Sequence, residues 1–310
     1  MLRENAMPIR MLGVLCLLLI YLANDIDAAE NSGSSFNELT VEGMQRSYIL
    51  HRPVTSNTKK LPLMIVLHGG LGNARYMQET TGMDEVADTG PFVVVYPNGD
   101  KIRFTLKDRR TWNAGNCCGL AAKKGIDDVK FIEKIIEDVG KKIPIDTRRV
   151  YLVGLSNGAM MAYRVAEEIP DRIAAVVSVS GTLAIDNFDA ARDIPVLIIH
   201  GTADKNIPIA GGKGALSVAN VDHRSLADTI KLITRARQCL TPEVRKEKGG
   251  IQISSYRCSS GAPLEVMLIE GGEHGWPGSR GSRQINAGGR YLSASKQAWE
   301  FVKQFSKTSN

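Results

Sequence analysis

Ser156 lies in the segment Gly154-Leu155-Ser156-Asn157-Gly158, directly after the apolar run Val150–Val153. A glycine on either side of a serine, between a strand and a helix, is the pattern of a nucleophile elbow. The turn is so tight that side chains at the glycine positions would strike neighbouring backbone. It lifts the serine to the carboxyl edge of a sheet, with a helix N-terminus beneath it. That dipole end favours the negative charge that develops during acyl transfer. Ala159, Ala162 and Ala166 are small enough to let the helix pack close to the sheet.

A serine hydroxyl needs a base. The chain has five histidines. In a strand–helix sheet with this elbow, the acid and then the base follow the nucleophile in chain order. Only His223 and His274 lie well after Ser156 with room for an acid between. His274 sits in Gly271-Gly272-Glu273-His274-Gly275-Trp276-Pro277-Gly278, directly after the strand-like Leu264–Ile269. A glycine-rich loop at a strand's carboxyl end suits a catalytic base. His223 sits near a helix start and reads as a surface residue. The acid should follow the preceding strand, which points to Asp204 after Val196–His200. The competitors Asp186, Asp189 and Asp193 precede that strand. Asp204 would hold the His274 imidazole and stabilise its charge. An oxyanion needs two N–H donors. One is the backbone of Asn157. The other should come from His68-Gly69-Gly70-Leu71-Gly72, with Gly70 first and Leu71 next. His68 and His200 read as structural groups under the site.

The remaining elements must position these residues. Leu39–Val41 and Ser47–His51 read as a hairpin, and Leu63–Leu67 and Phe92–Tyr96 as buried strands. A helix follows at Asp128–Lys142, with Val129, Ile132, Ile135, Ile136 and Val139 on one face. The next elements are a strand at Val150–Val153, a helix at Asn157–Glu168 and strands at Ala174–Val179 and Val196–His200. A helix at Ser225–Arg237, strands at Ile251–Tyr256 and Leu264–Ile269 and a helix at Ser293–Phe305 complete the series. This alternation predicts an α/β fold with a mostly parallel central sheet and helices on both faces. The long irregular stretch Asn98–Gly125 should carry function.

The chain has 310 residues, is 43% hydrophobic and 23% charged, and carries a net charge of +6. That composition excludes a disordered chain, a fibre and a multi-span membrane protein. The basic residues are scattered rather than clustered, so no nucleic-acid partner is expected. Arg3 and Arg10 precede an apolar run from Met11 to Ala23, too short to span a bilayer. It reads as a secretory signal peptide over residues 1–28, cleaved after Ala28. Residues 29–310 then form one secreted catalytic domain with no stable membrane association. Export places Cys117, Cys118, Cys239 and Cys258 in an oxidising compartment. Cys239 and Cys258 are expected to pair, closing a loop of about 20 residues worth roughly 3 kcal/mol. Cys117 and Cys118 are adjacent: a vicinal disulfide by default, or two free thiols. With no CxxC pair and no histidine nearby, no metal is expected.

Several segments then occur in order: His68-Gly-Gly, Tyr96-Pro97, Thr111-Trp-Asn-Ala-Gly-Asn-Cys-Cys118, Asp127-Asp-Val129, Gly154-Leu-Ser-Asn-Gly158, His200-Gly-Thr-Ala-Asp204 and Gly271-Gly-Glu-His-Gly-Trp-Pro-Gly278. Together they resemble the secreted polyhydroxybutyrate depolymerase/feruloyl esterase group of α/β-hydrolases. The resemblance covers nearly the whole mature chain. It implies carboxylic ester hydrolysis through an acyl-serine, with no cofactor or metal, and a triad on Ser156, Asp204 and His274. The expected partner is a small or polymer-linked ester, foremost a hydroxycinnamoyl or plant-wall ester. The alternative is a polyhydroxyalkanoate polymer or oligomer. Depolymerases acting on solid polyester commonly carry a binding module and linker, and neither is legible here. Trp112 and Trp276 are expected to flank the cleft as an aromatic wall. Glu273 departs from the small residue that relatives often carry, and a carboxylate there would raise the pKa of the base. Oligopeptidases share this fold and triad, but no propeller or cap domain is legible.

Overall fold

The computed structural model describes residues 33–54, 60–102, 107–189, 192–279 and 291–308. The leader read at residues 1–28 lies outside the described residues. Strands β1 (Gly33–Val41), β2 (Met44–Arg52), β3 (Leu61–Leu67) and β4 (Val93–Pro97) open the chain. A small separate hairpin follows, β5 (Asp100–Lys101) with β6 (Arg110–Thr111). Then come β7 (Ile145–Leu155), β8 (Ala175–Val179), β9 (Val196–Gly201), β10 (Glu243–Glu247), β11 (Ile251–Tyr256) and β12 (Leu264–Ile269). The ten-stranded main sheet runs β1-β2-β4-β3-β7-β8-β9-β12-β11-β10. Its six central strands, from β4 to β12, pair parallel; β1-β2 and β11-β10 flank them as antiparallel edges. The mostly parallel sheet expected from the alternation is found.

Strand periodicity divides the core into two halves. Leu63, Ile65, Leu67, Leu152, Val176 and Ile198 face one side of the sheet. Their neighbours Met64, Val66, Val153, Val177, Leu197 and Ile199 face the other. Successive strand residues point to opposite faces, so fully apolar strands require helices on both. Helices α1 (Ala74–Thr81) and α2 (Met83–Thr89) cover the second face, together with the C-terminal α7 (Ala294–Val302). On the first face lie α4 (Asp128–Lys142), α5 (Asn157–Glu168) and α6 (Leu226–Arg237). The short helix α3 (Gly119–Lys123) belongs to the loop region before α4. The apolar stripe of α4 is buried throughout, and Ala159, Ala162 and Ala166 of α5 are fully buried. Asn73 caps α1, Asp127 caps α4 and Ser225 caps α6, each through a side-chain oxygen accepting a backbone N–H.

A buried ion pair anchors the long loop between β4 and α4. The Arg46 guanidinium donates to Asp128 Oδ1 at 2.6 Å and to the Asn98 carbonyl at 3.2 Å. The other Asp128 oxygen accepts the Asn113 N–H at 2.8 Å. Burial pushes the Asp128 carboxyl up, while Arg46 and the Asn113 N–H pull it down. Desolvating such a pair costs several kcal/mol. Both Asp128 oxygens accept hydrogen bonds, while Arg46 Nε and Nη1 make none among the described residues and the guanidinium lies 4.0 Å over the Phe131 ring. Here it joins β2, the loop and α4 at one point.

Candidate active site

The elbow has the backbone its sequence requires. Ser156 sits at φ 56°, ψ −120°, a conformation few non-glycine residues adopt. A Cβ at Gly154 would lie 2.2 Å from the Gly158 carbonyl oxygen, and one at Gly158 would lie 2.3 Å from that of Leu67. The Ser156 N–H donates to the Val179 carbonyl at 2.9 Å, tying the turn to β8. Helix α5 starts at the next residue. Its first N–H groups lack intrahelical partners and point toward the serine edge.

Loops from β9 and β12 bring Asp204 and His274 together. His274 Nδ1 lies 2.8 Å from Asp204 Oδ2. The other carboxylate oxygen accepts the N–H groups of Asn206 and Ile207, each at 2.8 Å. His200 Nε2 is 3.4 Å from Asp204 Oδ2 and 2.9 Å from the Ile207 carbonyl oxygen. Burial alone would raise the Asp204 pKa. Hydrogen bonds from His200, His274 and Ile207 outweigh it and hold the carboxyl well below the usual range. In the neutral ring a carboxylate at Nδ1 favours the tautomer with its proton on Nδ1 and Nε2 as acceptor, as a base for a hydroxyl requires. The competing Asp186, Asp189 and Asp193 are exposed, and Asp193 faces Arg192 at 3.6 Å.

The His274 loop is itself held on both sides. A Cβ at Gly201 would lie 2.2 Å from the Gly272 carbonyl oxygen, so only glycine lets the two loops meet. The Ala203 N–H donates to that carbonyl at 2.9 Å. The Ser180 hydroxyl donates to the Gly275 carbonyl at 3.1 Å.

The loop after β3 lies against the elbow. A Cβ at Gly69 would be 3.3 Å from that of Ser156, and one at Gly70 would be 3.8 Å from that of Asn157. Of the two oxyanion donors considered beside Asn157, Leu71 is already engaged: its N–H donates to the Arg110 carbonyl at 2.8 Å. Gly70 remains. His68, fully buried beneath the loop, contacts the Gly69 carbonyl through Nδ1 and accepts the Gly99 N–H at Nε2. Burial lowers its pKa to about 4, so it stays neutral. It serves as a structural post, as the sequence suggested. Gly70, Ser156 and His274 line one cleft of about 380 Å3.

The two tryptophans require a correction. Neither lines that cleft. Trp112 is fully buried: its indole N–H donates to the His68 carbonyl, and its ring packs on that of His68 at 4.7 Å. The Asn157 side chain grips the Trp112 backbone, accepting its N–H at 2.8 Å and donating to its carbonyl at 3.2 Å. Trp276 is 5% exposed, and its indole N–H donates to Ser295, whose hydroxyl in turn donates to the Thr81 carbonyl. One ring braces the loop after β3 and the other braces the His274 loop. Among the described residues, Tyr76 of α1 does line the cleft with an aromatic ring, and it is 49% exposed. Arg109, from the long loop expected to carry function, lines the cleft as well.

His223 also departs from expectation. It is buried rather than exposed, with Nε2 3.3 Å from the Ser217 hydroxyl, and burial lowers its pKa. Glu273 is solvent-exposed. Both cysteine pairs are bridged: Cys239 with Cys258, and Cys117 with its neighbour Cys118.

Residues 46–235 match the family described as esterase PHB depolymerase. The chain belongs to that family. As a member it is a carboxylic ester hydrolase. The putative esterase NocK of Nocardia uniformis subsp. tsuyamanensis is 29% identical over 293 residues, covering 86% of this chain and 81% of that one. Feruloyl esterase B of Piromyces equi is 26% identical across 80% of this esterase, which spans 43% of that protein. Poly(3-hydroxyalkanoate) depolymerase C of Paucimonas lemoignei is 26% identical, with 74% and 59% of the two chains covered. Among solved structures, an acetyl xylan esterase from Aspergillus awamori superposes with a TM-score of 0.56 at 14% identity. The alignment covers 84% of this esterase and 99% of that chain, and it shows the shared fold. Among the described residues, no helix is long and apolar enough to cross a membrane.

Proposed function

We propose that this esterase acts through an acyl-serine on Ser156, with His274 as base, Asp204 as its orienting acid, and the N–H groups of Gly70 and Asn157 as the oxyanion hole. The observation that carries this reading is the Asp204–His274 hydrogen bond at the cleft that holds the strained Ser156. The Ser156 hydroxyl proton passes to His274 Nε2 as Oγ attacks the ester carbonyl. The imidazolium, stabilised by Asp204, returns that proton to the leaving alcohol. Water then repeats the sequence and releases the acid. The long loop, clamped to Asn157 through Trp112, keeps the oxyanion donors preorganised.

The substrate assigned first is a hydroxycinnamoyl ester of plant-wall type. Tyr76 supports it, because an exposed phenol ring on the cleft wall offers a face for an aromatic acyl group. The feruloyl esterase relative points the same way. The leader at residues 1–28, ahead of a single catalytic domain at 29–310, and the two cysteine bridges support export to an oxidising compartment.

The test compares a methyl hydroxycinnamate with a short 3-hydroxybutyrate oligomer on the wild type and Tyr76→Ala. The expected result is a higher kcat/KM for the aromatic ester and a KM for it that rises in Tyr76→Ala. A higher kcat/KM for the oligomer, unaffected by Tyr76, would overturn the assignment in favour of polyester hydrolysis.

A further inference from the structure

Arg109 is fixed beside the oxyanion loop. The Leu71 N–H donates to the Arg110 carbonyl at 2.8 Å, the Arg110 N–H donates to the Gly72 carbonyl at 3.1 Å, and the Asn73 amide donates to the Asp108 carbonyl at 2.8 Å. These three bonds stitch residues 108–110 to residues 71–73. The chain bearing Arg109 is thereby held against the same loop that supplies the Gly70 donor. Arg109 lines the cleft with Ser156 and His274 and is partly buried there.

The charges on this wall do not cancel. Among the described residues of the lining the one carboxylate, Asp108, already accepts the Arg110 Nε–H at 2.9 Å, and Arg110 also donates to the Gly99 carbonyl. Among the described residues, no carboxylate lies within ion-pairing distance of the Arg109 guanidinium. A partly desolvated guanidinium with its fork of donors unused is complementary to a planar carboxylate, which it can hold bidentately. The same field would draw an anionic ester toward the cleft.

We propose that Arg109 is a specificity determinant that recognises a carboxylate carried by the ester substrate. The inference rests on the reading of the Ser156 cleft as the ester-hydrolysing site. Two sources of such a carboxylate fit: an acidic sugar unit of a wall polymer bearing an aromatic acyl group, or the free end of a hydroxy-acid oligomer. Both place an anion near the scissile ester.

The experiment uses two matched pairs of esters. One pair is carboxymethyl hydroxycinnamate against its methyl ester. The other is the 3-hydroxybutyrate dimer as free acid against its methyl ester. The quantity read is the ratio of kcat/KM for the anionic member to that for the neutral member. Arg109→Gln is expected to lower this ratio by about tenfold or more, and Arg109→Glu to lower it further. Added salt should lower it in the wild type, which needs no variant to fold. The pair showing the larger drop identifies the source of the carboxylate. Equal losses on anionic and neutral esters would make Arg109 a structural or stacking residue and overturn the inference. A ratio unmoved by both variants and by salt would overturn it too. Hydrolysis of either ester by Ser156→Ala would instead strike the underlying site assignment, so the two failures are distinguishable.

Discussion

Ser156→Ala is expected to lower kcat for methyl hydroxycinnamate by about 10^6-fold, leaving the residual rate that an oxyanion hole and bound substrate alone supply. The loss is large because the oxygen removed is the attacking atom that His274, oriented by Asp204, would activate; the oxyanion donors act on the substrate carbonyl and survive the change. The fold should survive. The elbow is held by backbone contacts: the Ser156 N–H on Val179, and the close approach of Gly158 to Leu67. Alanine is smaller than serine and adds nothing that could strike Gly69. The check is steady-state turnover beside a thermal melt. Turnover within tenfold of wild type in a folded variant would remove Ser156 from the mechanism.

Asp204→Asn is expected to cost about 10^4-fold in kcat, with little change in KM. The surroundings dictate which way the new amide must point. Asp204 Oδ1 accepts two backbone N–H groups, from Asn206 and Ile207. An asparagine would keep its oxygen there, where donors await it. Its NH2 would then face His274 Nδ1, in place of the carboxylate oxygen 2.8 Å away. Nδ1 would have to accept, which moves the ring proton to Nε2. That tautomer cannot take a proton from Ser156. Asp193→Asn serves as control, since Asp193 is exposed and pairs with Arg192. Kinetics of both variants on the same ester check the assignment. A comparable loss in the two would show that another carboxylate is the acid.

Much of the site was legible because its chemistry is local in sequence. Gly154-Leu-Ser-Asn-Gly158 announces a turn whose glycines have a steric cause, and the structure gives that cause as distances to Gly158 and Leu67. Chain order and strand ends then narrowed the acid and base to Asp204 and His274. The buried strands were legible for a similar reason: fully apolar runs such as Leu63–Leu67 have few other places to go. What the sequence hid was packing between distant loops. Trp112 and Trp276 are large and flank glycine-rich loops, so an exposed wall and a buried brace predict the same residues. The difference lies in partners far along the chain, His68 for one and Ser295 for the other. Tyr76 went unmarked because helices α1 and α2 bury only small or isolated residues, such as Ala74, Met77 and Ala87, and leave no long apolar stripe. Strand β10 is exposed along its whole length and pairs only at the sheet edge, so it lacks the alternation that reveals a strand. His223 reads as polar surface, yet a backbone bridge to Gly212 folds it inward.

The most direct test of the acyl-serine reading is covalent trapping. The chain is treated with a fluorophosphonate that mimics the tetrahedral intermediate, then digested and mapped by mass spectrometry. One adduct per chain, on the peptide carrying Ser156, with ester turnover falling in step with labelling, is the expected result. An adduct on any other residue, or full turnover once Ser156 is completely labelled, would contradict it.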